Sequence, residues 1–379
     1  MNKLRAIAIH LPQFHPTIEN DEWWGKGFTE WTNVAKAKPL FKDHYQPHLP
    51  SDLGYYDLRL PETRLAQAEL AMKYGIEGFC YYHYWFNGKR ILEKPVNEIL
   101  ESKKPDFPFM LCWANENWNR GWNGAEYDVL LKQEYSDQDD INHIQYLLEI
   151  FKDERYIRID DKPVIAIYRS TKLPNPKKTL SLWRNEAKKH NLELYICRFE
   201  SFSESGGEIT TDMGFDAAID FQPKSRYIRE IIDNKSFIEK TFRKVQKRLH
   251  WEVPSYLKNL FYNAKNQGSI VTYDEYINKA ISSHKVKYKL FPCITPMWDN
   301  SARKKESYII LKDSTPQKYA KWLSIILKNF TPYSKDENLV FINAWNEWAE
   351  GNHLEPCHKW GHEYLLVTKR ELEKINKGW

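Results

Sequence analysis

Short apolar, β-rich runs alternate with longer helical patterns about eight times along the chain, and this rhythm constrains the fold more than any other feature. It implies a parallel sheet with helical crossovers. The runs are Ala6 to Leu11, Gly78 to Tyr84, Phe109 to Ala114, Pro163 to Tyr168, Leu194 to Phe199, Ala217 to Phe221, Phe291 to Pro296, and Leu339 to Ala344. Between them, stretches such as Glu62 to Tyr74 carry apolar residues at spacings of three and four, the period of a one-faced helix. The same pattern covers Asp140 to Lys152, Leu180 to His190, Thr272 to Ser282, Pro316 to Asn329 and Glu363 to Ile375. Eight parallel strands close into a (β/α)8 barrel more naturally than they stay open. A doubly wound sheet, the main alternative, would usually carry a G-x-G-x-x-G turn after its first strand, and none stands there. The Gly206-Gly207 pair lies in a polar stretch and reads as a turn.

The 379 residues fit one α/β domain with long insertions, since such barrels run past roughly 250 residues as single units. Pro12 to Pro61 is an aromatic-rich first loop, and residues 224–268 read as a helical insertion after strand six. With 42% apolar and 28% charged residues, disorder is not expected. The net charge of +5 is spread among interleaved Lys, Arg, Glu and Asp, whereas tracking phosphates wants a concentrated basic stripe, so nucleic acid is not expected as a partner. Met1 to His10 lacks the apolar core of a signal peptide, and no apolar run reaches the roughly 18 to 20 residues that cross a bilayer. Cysteines at 80, 112, 197, 293 and 357 show no C-x-x-C spacing; buried free thiols in a reducing cytoplasm are expected.

Fifteen Trp, 23 Tyr and 18 Phe exceed what a core needs. Some should line a cleft, where aromatic faces stack on sugar rings, bases or cations. Barrel sites form at the C-terminal strand ends, and six such ends here are polar and aromatic. They carry His10, Gln13 and His15; His83, Tyr84 and Trp85; Trp113, Asn115 and Glu116; Asp220 to Gln222; Trp298, Asp299 and Arg303; and Asn346, Glu347, Trp348 and Glu350. Trp and Asn also cap barrel rims without touching a ligand, yet a ring of such groups suits a polyhydroxylated substrate, an oligosaccharide or polysaccharide.

The sharpest element is Asn343-Ala344-Trp345-Asn346-Glu347-Trp348-Ala349-Glu350-Gly351. Two Glu three residues apart in a tight turn can project to one side, and retaining cleavage of a glycosidic bond uses two carboxyls about 5 to 5.5 Å apart. Crowding them in an aromatic pocket raises one pKa. The structural reading makes Glu350 a helix cap and Glu347 a rim ion pair. His353, Glu355, Cys357, His358 and His362 crowd together but match no standard zinc spacing, so no metal and no cofactor are expected, and Glu355 reads as structural or hydroxyl-binding. No G-x-S-x-G or P-loop occurs.

The W-N-E-W-x-E-G motif with Glu355-Pro356 resembles the WbsX-like polysaccharide-biosynthesis family, a group called glycosyltransferases and itself similar to glycoside hydrolase family 99, the endo-α-mannosidases. Leu11 to Pro16, Trp23 to Trp31, Tyr82 to Phe86, Trp113 to Trp118, and Trp298 to Asn300 with Arg303 extend the resemblance over nearly the whole chain. It implies a (β/α)8 barrel and, from family 99, retaining cleavage of α-mannosidic bonds without a metal. There the first Glu of the motif acts as base on the substrate 2-hydroxyl, giving an anhydro-sugar, and the second as general acid/base; these roles fall on Glu347 and Glu350. The first strand departs from family 99, which lacks the Leu-Pro-Gln-Phe-His run, so mannose specificity does not carry over with the carboxylates. The expected function is cleavage or transfer of glycosidic bonds in surface polysaccharide metabolism. A nucleotide-sugar glycosyltransferase and a non-catalytic sugar-binding protein are the alternatives; the Asp160-Asp161 pair precedes strand four, at the wrong end of a barrel for a metal-bound nucleotide.

Overall fold

The computed structural model describes residues 3–120, 128–201, 210–235, 268–282 and 286–377. Its central sheet runs through β1 (Arg5–His10), β2 (Ile76–Phe86), β3 (Phe109–Trp113), β4 (Lys162–Ile167), β5 (Tyr195–Phe199), β6 (Ala217–Ile219), β7 (Leu290–Phe291 and Cys293–Ile294) and β8 (Leu339–Ile342). Each strand pairs in parallel with the next. β8 pairs with β1, so the sheet curls back on itself. The two halves of β7 make the closure: Leu290–Phe291 pairs with β6 and Cys293–Ile294 with β8. Pro292 separates them, having no N–H to give the ladder, while its carbonyl still accepts from Phe341 N at 2.8 Å. The architecture is a (β/α)8 barrel.

Among the described residues the helices include α1 (Ile18–Trp24), α2 (Glu30–Lys36), α3 (Pro61–Lys73), α4 (Lys94–Ser102), α5 (Asp137–Phe151), α6 (Pro176–Lys189), α7 (Tyr273–Ile281), α8 (Pro316–Asn329) and α9 (Glu363–Asn376). Their starts obey local chemistry. Ser136, Asn175 and Thr315 accept backbone N–H groups at the first turns of α5, α6 and α8, and proline opens α6 and α8, where the missing donor costs nothing. The aromatic-rich first loop contains α1 and α2, which its sequence does not announce because neither spans more than two turns. In the expected helical insertion, residues 225–235 are helical; the remainder to 267 lies outside the described residues. All five cysteines are free and buried. Among the described residues no helix is long and apolar enough to cross a membrane.

Pleating decides which side chains reach the barrel axis, because successive residues of a strand point to opposite faces. On β2, His83 and Trp85 turn outward and pack on His143 and Tyr146 of α5. Tyr82 and Tyr84 turn the other way, Tyr82 against Tyr168 and Tyr84 against Trp118. Gly78, on the same face as Tyr82 and Tyr84, permits close packing at the lower end of the strand. A Cβ there would lie 2.8 Å from Ile157 Cδ1 and 3.0 Å from the Pro108 carbonyl.

Candidate active site

The chain leaves β8 through Asn343 and re-forms a short antiparallel hairpin, Asn346–Glu347 against Asn352–His353. A single 3₁₀ turn, Trp348–Glu350, closes it. Three residues per turn nearly eclipse positions i and i+3, so Glu347 just before the turn and Glu350 at its end project together. Gly351 follows at φ +53°, and a Cβ there would lie 3.0 Å from Asp299 Cβ and 3.1 Å from the Asp299 carbonyl. Both facts call for glycine. Asn346 anchors the hairpin, accepting from Leu11 N at 2.7 Å and donating to Leu11 O at 3.0 Å.

One guanidinium grips the pair. Arg303 donates through Nη2 to Glu347 Oε2 at 2.9 Å, through Nη1 to Glu350 Oε1 at 2.7 Å, and through Nε to Glu30 Oε1 at 2.8 Å. Glu30, fully buried at the first position of α2, is delivered by the first loop, whose register is fixed by Glu30 N donating to Gln13 O at 3.0 Å. Three carboxyls face one cation, so electroneutrality favours retaining protons. Burial is the main cause of the upward shift of Glu347, to about 8; Glu350 and Glu30 add to it and Arg303 opposes it. Burial raises Glu350 as well, against Arg303 and with Glu30. The same three carboxylates hold the Arg303 guanidinium well above its ordinary value despite its burial. Near neutrality the pair thus keeps a proton, held on Glu347.

Tyrosines pave the floor. The phenols of Tyr82 and Tyr84 are pushed up by burial and then by nearby groups including Glu347, and that of Tyr168 by burial, Glu116 and Glu350. They remain neutral hydroxyls. At the rim, Trp118 packs on Tyr84 at 5.1 Å and on Trp23 at 5.9 Å, with both indoles half-buried. Beside Tyr168, Glu116 Oε1 pairs with Arg169 Nη1 at 2.6 Å. Asn115 aims that pair: its side chain accepts from Arg169 N at 2.8 Å and donates to Arg169 O at 2.9 Å.

Of the residues expected from the sequence, Glu347, Glu350, Arg303 and Tyr84 converge, with Glu116 and Asn115 at the edge. Others are occupied elsewhere. His83 meets His143 at 3.0 Å, Trp85 donates to Asp139 at 2.8 Å, and Trp113 packs on His143 and Trp183, all in the helix layer outside the barrel. His10 contacts the Gln67 amide, and burial lowers its pKa to about 3; His15 binds the Pro12 carbonyl and falls to about 4 for the same reason. Gln13 is enclosed. Glu355 accepts from Tyr56 at 2.8 Å, Gln67 at 2.7 Å and Trp348 at 2.6 Å, tying the hairpin to α3. Burial outweighs those three donors and raises it to about 7. Trp348 itself stacks on His353 and packs against Trp31, beneath the pair.

Asp299 is a brace. Its backbone N donates to Glu350 O at 2.6 Å, and its carboxylate accepts from His44 Nε2 at 2.6 Å and Gln46 Nε2 at 2.9 Å. His44 Nδ1 accepts from Leu40 N at 2.9 Å, which leaves the imidazole proton on Nε2, facing Asp299. Trp298 leans away into a neighbouring cavity. Sequence reading overlooked Glu30, Tyr82, Tyr168, Trp23 and Trp118. The signal for Glu30 was an acid enclosed by Phe28 and Trp31; for the tyrosines it was strand alternation.

His353, Glu355, Cys357, His358 and His362 do not converge. His353 bonds to His48 and to the Glu355 carbonyl, while His362 reaches outward to Asp52 and Tyr74. Among the described residues, no three His, Cys, Asp or Glu come together so as to hold a metal ion.

The family model described as glycosyltransferase WbsX matches residues 6–368, from β1 to within α9. The chain belongs to the WbsX glycosyltransferase family. Glu30, Arg303, Glu347 and Glu350 all lie inside the matched region. Two curated relatives, the WxcX proteins of two Xanthomonas campestris pv. campestris strains, are 35% identical over 370 residues, which is 97% of this chain and 49% of theirs. This WbsX chain therefore spans about half the length of those relatives. Among solved structures, the GH99 endo-α-mannosidase of Bacteroides thetaiotaomicron superposes with a TM-score of 0.56 at 12% identity, covering 98% of each chain. A glycoside hydrolase-like protein superposes with a TM-score of 0.54 at 13% identity, covering 98% of this chain and 94% of that one. At those identities the likeness is one of fold, and it agrees with the closed barrel.

Proposed function

We propose that this chain cleaves or transfers glycosidic bonds in surface polysaccharide metabolism, with Glu347 and Glu350 as its reacting carboxyl groups. The observation that carries the reading is the single guanidinium of Arg303 holding both carboxyls, and Glu30, in one buried cluster. Arg303 fixes their separation and Glu30 supplies the extra negative charge that keeps a proton on the pair. A carboxylic acid and a carboxylate then face one sugar. In the free site the shared proton rests on Glu347; by the route that the family resemblance implies, it passes to Glu350 as the sugar binds, and Glu350 then protonates the glycosidic oxygen as the C–O bond breaks. Glu347 takes the proton of the 2-hydroxyl, whose oxygen closes on C1 to give an anhydro-sugar. Water or another sugar's hydroxyl opens that ring at C1, giving up its proton to Glu350, while Glu347 returns its proton to the 2-oxygen. The tyrosine floor and the Trp23–Trp118 rim supply hydroxyl donors and stacking surfaces for a pyranose.

A second reading, transfer from a nucleotide sugar, is favoured by the family's own description. Against it, Asp160 and Asp161 form an exposed turn at φ +47° and +59°, ahead of β4 and remote from the carboxyl cluster. Incubation of the protein with oligosaccharide repeats containing mannose, rhamnose or galactose, read by mass spectrometry, tests the proposal. Shortened or re-joined oligosaccharides are expected without any nucleotide sugar. Products that form only when a nucleotide sugar is supplied would favour the second reading, and unchanged glycans throughout would leave a sugar-binding protein.

A further inference from the structure

Beside the reacting centre, on the far side of the Gly351–Asp299 backbone, lies a half-open cavity with room for several waters. We infer that it is a second, non-reacting subsite that seats one neutral pyranose residue of the substrate; this rests on the carbohydrate reading above. Four partly exposed aromatic side chains, Phe41, Tyr45, Trp298 and Trp360, line it. Such walls suit the C–H faces of a sugar ring.

Charge selects a neutral ligand. Lys312 and Lys359 line the cavity together with Asp43, Asp299 and Asp313; the Asp299 carboxylate is already taken by His44 and Gln46, which leaves Asp43 and Asp313 to balance the two lysines. The lysines are already engaged: Lys359 Nζ lies 4.4 Å from the Tyr45 ring centre and 5.0 Å from that of Trp360, and Lys312 Nζ lies 5.7 Å from that of Phe41. The aspartates can accept from vicinal hydroxyls, a pattern that a carboxylate- or phosphate-bearing ligand would oppose. Position links the subsite to the chemistry. Asp299 and Gly351 border the cavity, and the Asp299 N–H that holds the Glu350 carbonyl at 2.6 Å belongs to the same wall. Cavity and carboxyl cluster thus share the Asp299–Gly351 wall.

Saturation-transfer NMR on the full chain, with the methyl glycosides of mannose, rhamnose and galactose as probes and methyl glucuronide and inorganic phosphate as anionic competitors, tests this. At least one neutral glycoside should bind, should still bind Glu347→Gln, and should lose tenfold or more in affinity on Trp360→Ala or Lys359→Met. Trp360→Phe, which keeps the packing, should show a smaller loss at an unchanged melting temperature. The subsite is overturned if no neutral glycoside binds, if binding disappears in Glu347→Gln yet survives Trp360→Ala, or if the anions displace the glycoside. Turnover separates the two claims. Oligosaccharide processing with no cavity binding removes the subsite alone, while cavity binding without any processing leaves the subsite and removes the role given to the carboxyls.

Discussion

The turn after β8 and the outer ends of β2 and β3 look alike as sequence, each dense in Trp, Asn, His and Glu, but they do opposite work. The β8 turn gathers three carboxyls on Arg303 beside the barrel axis. The β2 and β3 ends send His83, Trp85 and Trp113 into the helix layer, where His143 stacks on Trp85 with its ring plane only 5° off. There the two histidines sit neutral in apolar surroundings, pushed down by burial. Composition marks both regions as special. Only the direction in which each side chain leaves the backbone tells a member of the carboxyl cluster from a packing group.

That contrast can be broken most severely at the carboxyls. Glu347→Gln or Glu350→Gln should cut turnover on an oligosaccharide substrate by about a thousandfold or more, measured as initial rate. Folding should persist, since Gln keeps the shape of the side chain and Arg303 retains two of its three carboxyl partners. Next, Arg303→Met would leave three buried carboxyls without their cation. Losing one side of a buried ion pair costs roughly 3 to 5 kcal/mol, so a lower denaturation midpoint is expected along with turnover reduced by at least about a hundredfold. If either Gln variant keeps full turnover, the β8 turn is as structural as the outer cluster.

In the outer cluster the expected effect is on stability alone. Trp113→Ala should cost about 3 to 5 kcal/mol through the cavity it opens, read by denaturant titration, with turnover per folded molecule unchanged. A specific fall in turnover at full stability would return Trp113 to the site. Smaller still is the pH effect. Glu347 is raised to about 8 and Glu355 to about 7, so the folded chain holds protons that the unfolded chain releases near 4.5. Their stabilising contribution is complete below about 4.5 and is lost as pH rises toward 8. Buried His10 and His83, lowered to about 3, and His48, lowered to about 4, act oppositely, adding stability only up to about 6.5. Between pH 6.5 and 8 the carboxyl effect stands alone, and the wild-type melting temperature should decline there. The decline should be shallower in Glu347→Gln.

The barrel was legible because its strands are apolar throughout, as in Phe109 to Cys112 or Val164 to Ile167, and parallel strands buried on both faces must be. The break at Pro292 was not, since which half of β7 pairs with which neighbour is a matter of closure rather than of local pattern. That Glu347 and Glu350 lie side by side was foreshadowed by their spacing, because a three-residue interval is the period of the turn that presents them; the roles proposed for them come from the family resemblance. Arg303 stood out beside Trp298 and Asp299, yet its partner Glu30 comes from a loop 273 positions away, and nothing local reveals such a contact. His83 and Trp113 were placed in the site by their position at strand ends, and alternation along the strand carries them out of it.

Carbon-13 NMR of glutamate-labelled protein reports the protonation of the pair directly. The account predicts a carboxyl resonance that stays protonated at pH 7, titrates near 8, and disappears from the spectrum of Glu347→Gln, alongside a separate one near 7 from Glu355. If every glutamate carboxyl instead titrates between about 3 and 5, as exposed groups do, the cluster around Arg303 holds no proton and the acid half of the proposed chemistry is lost.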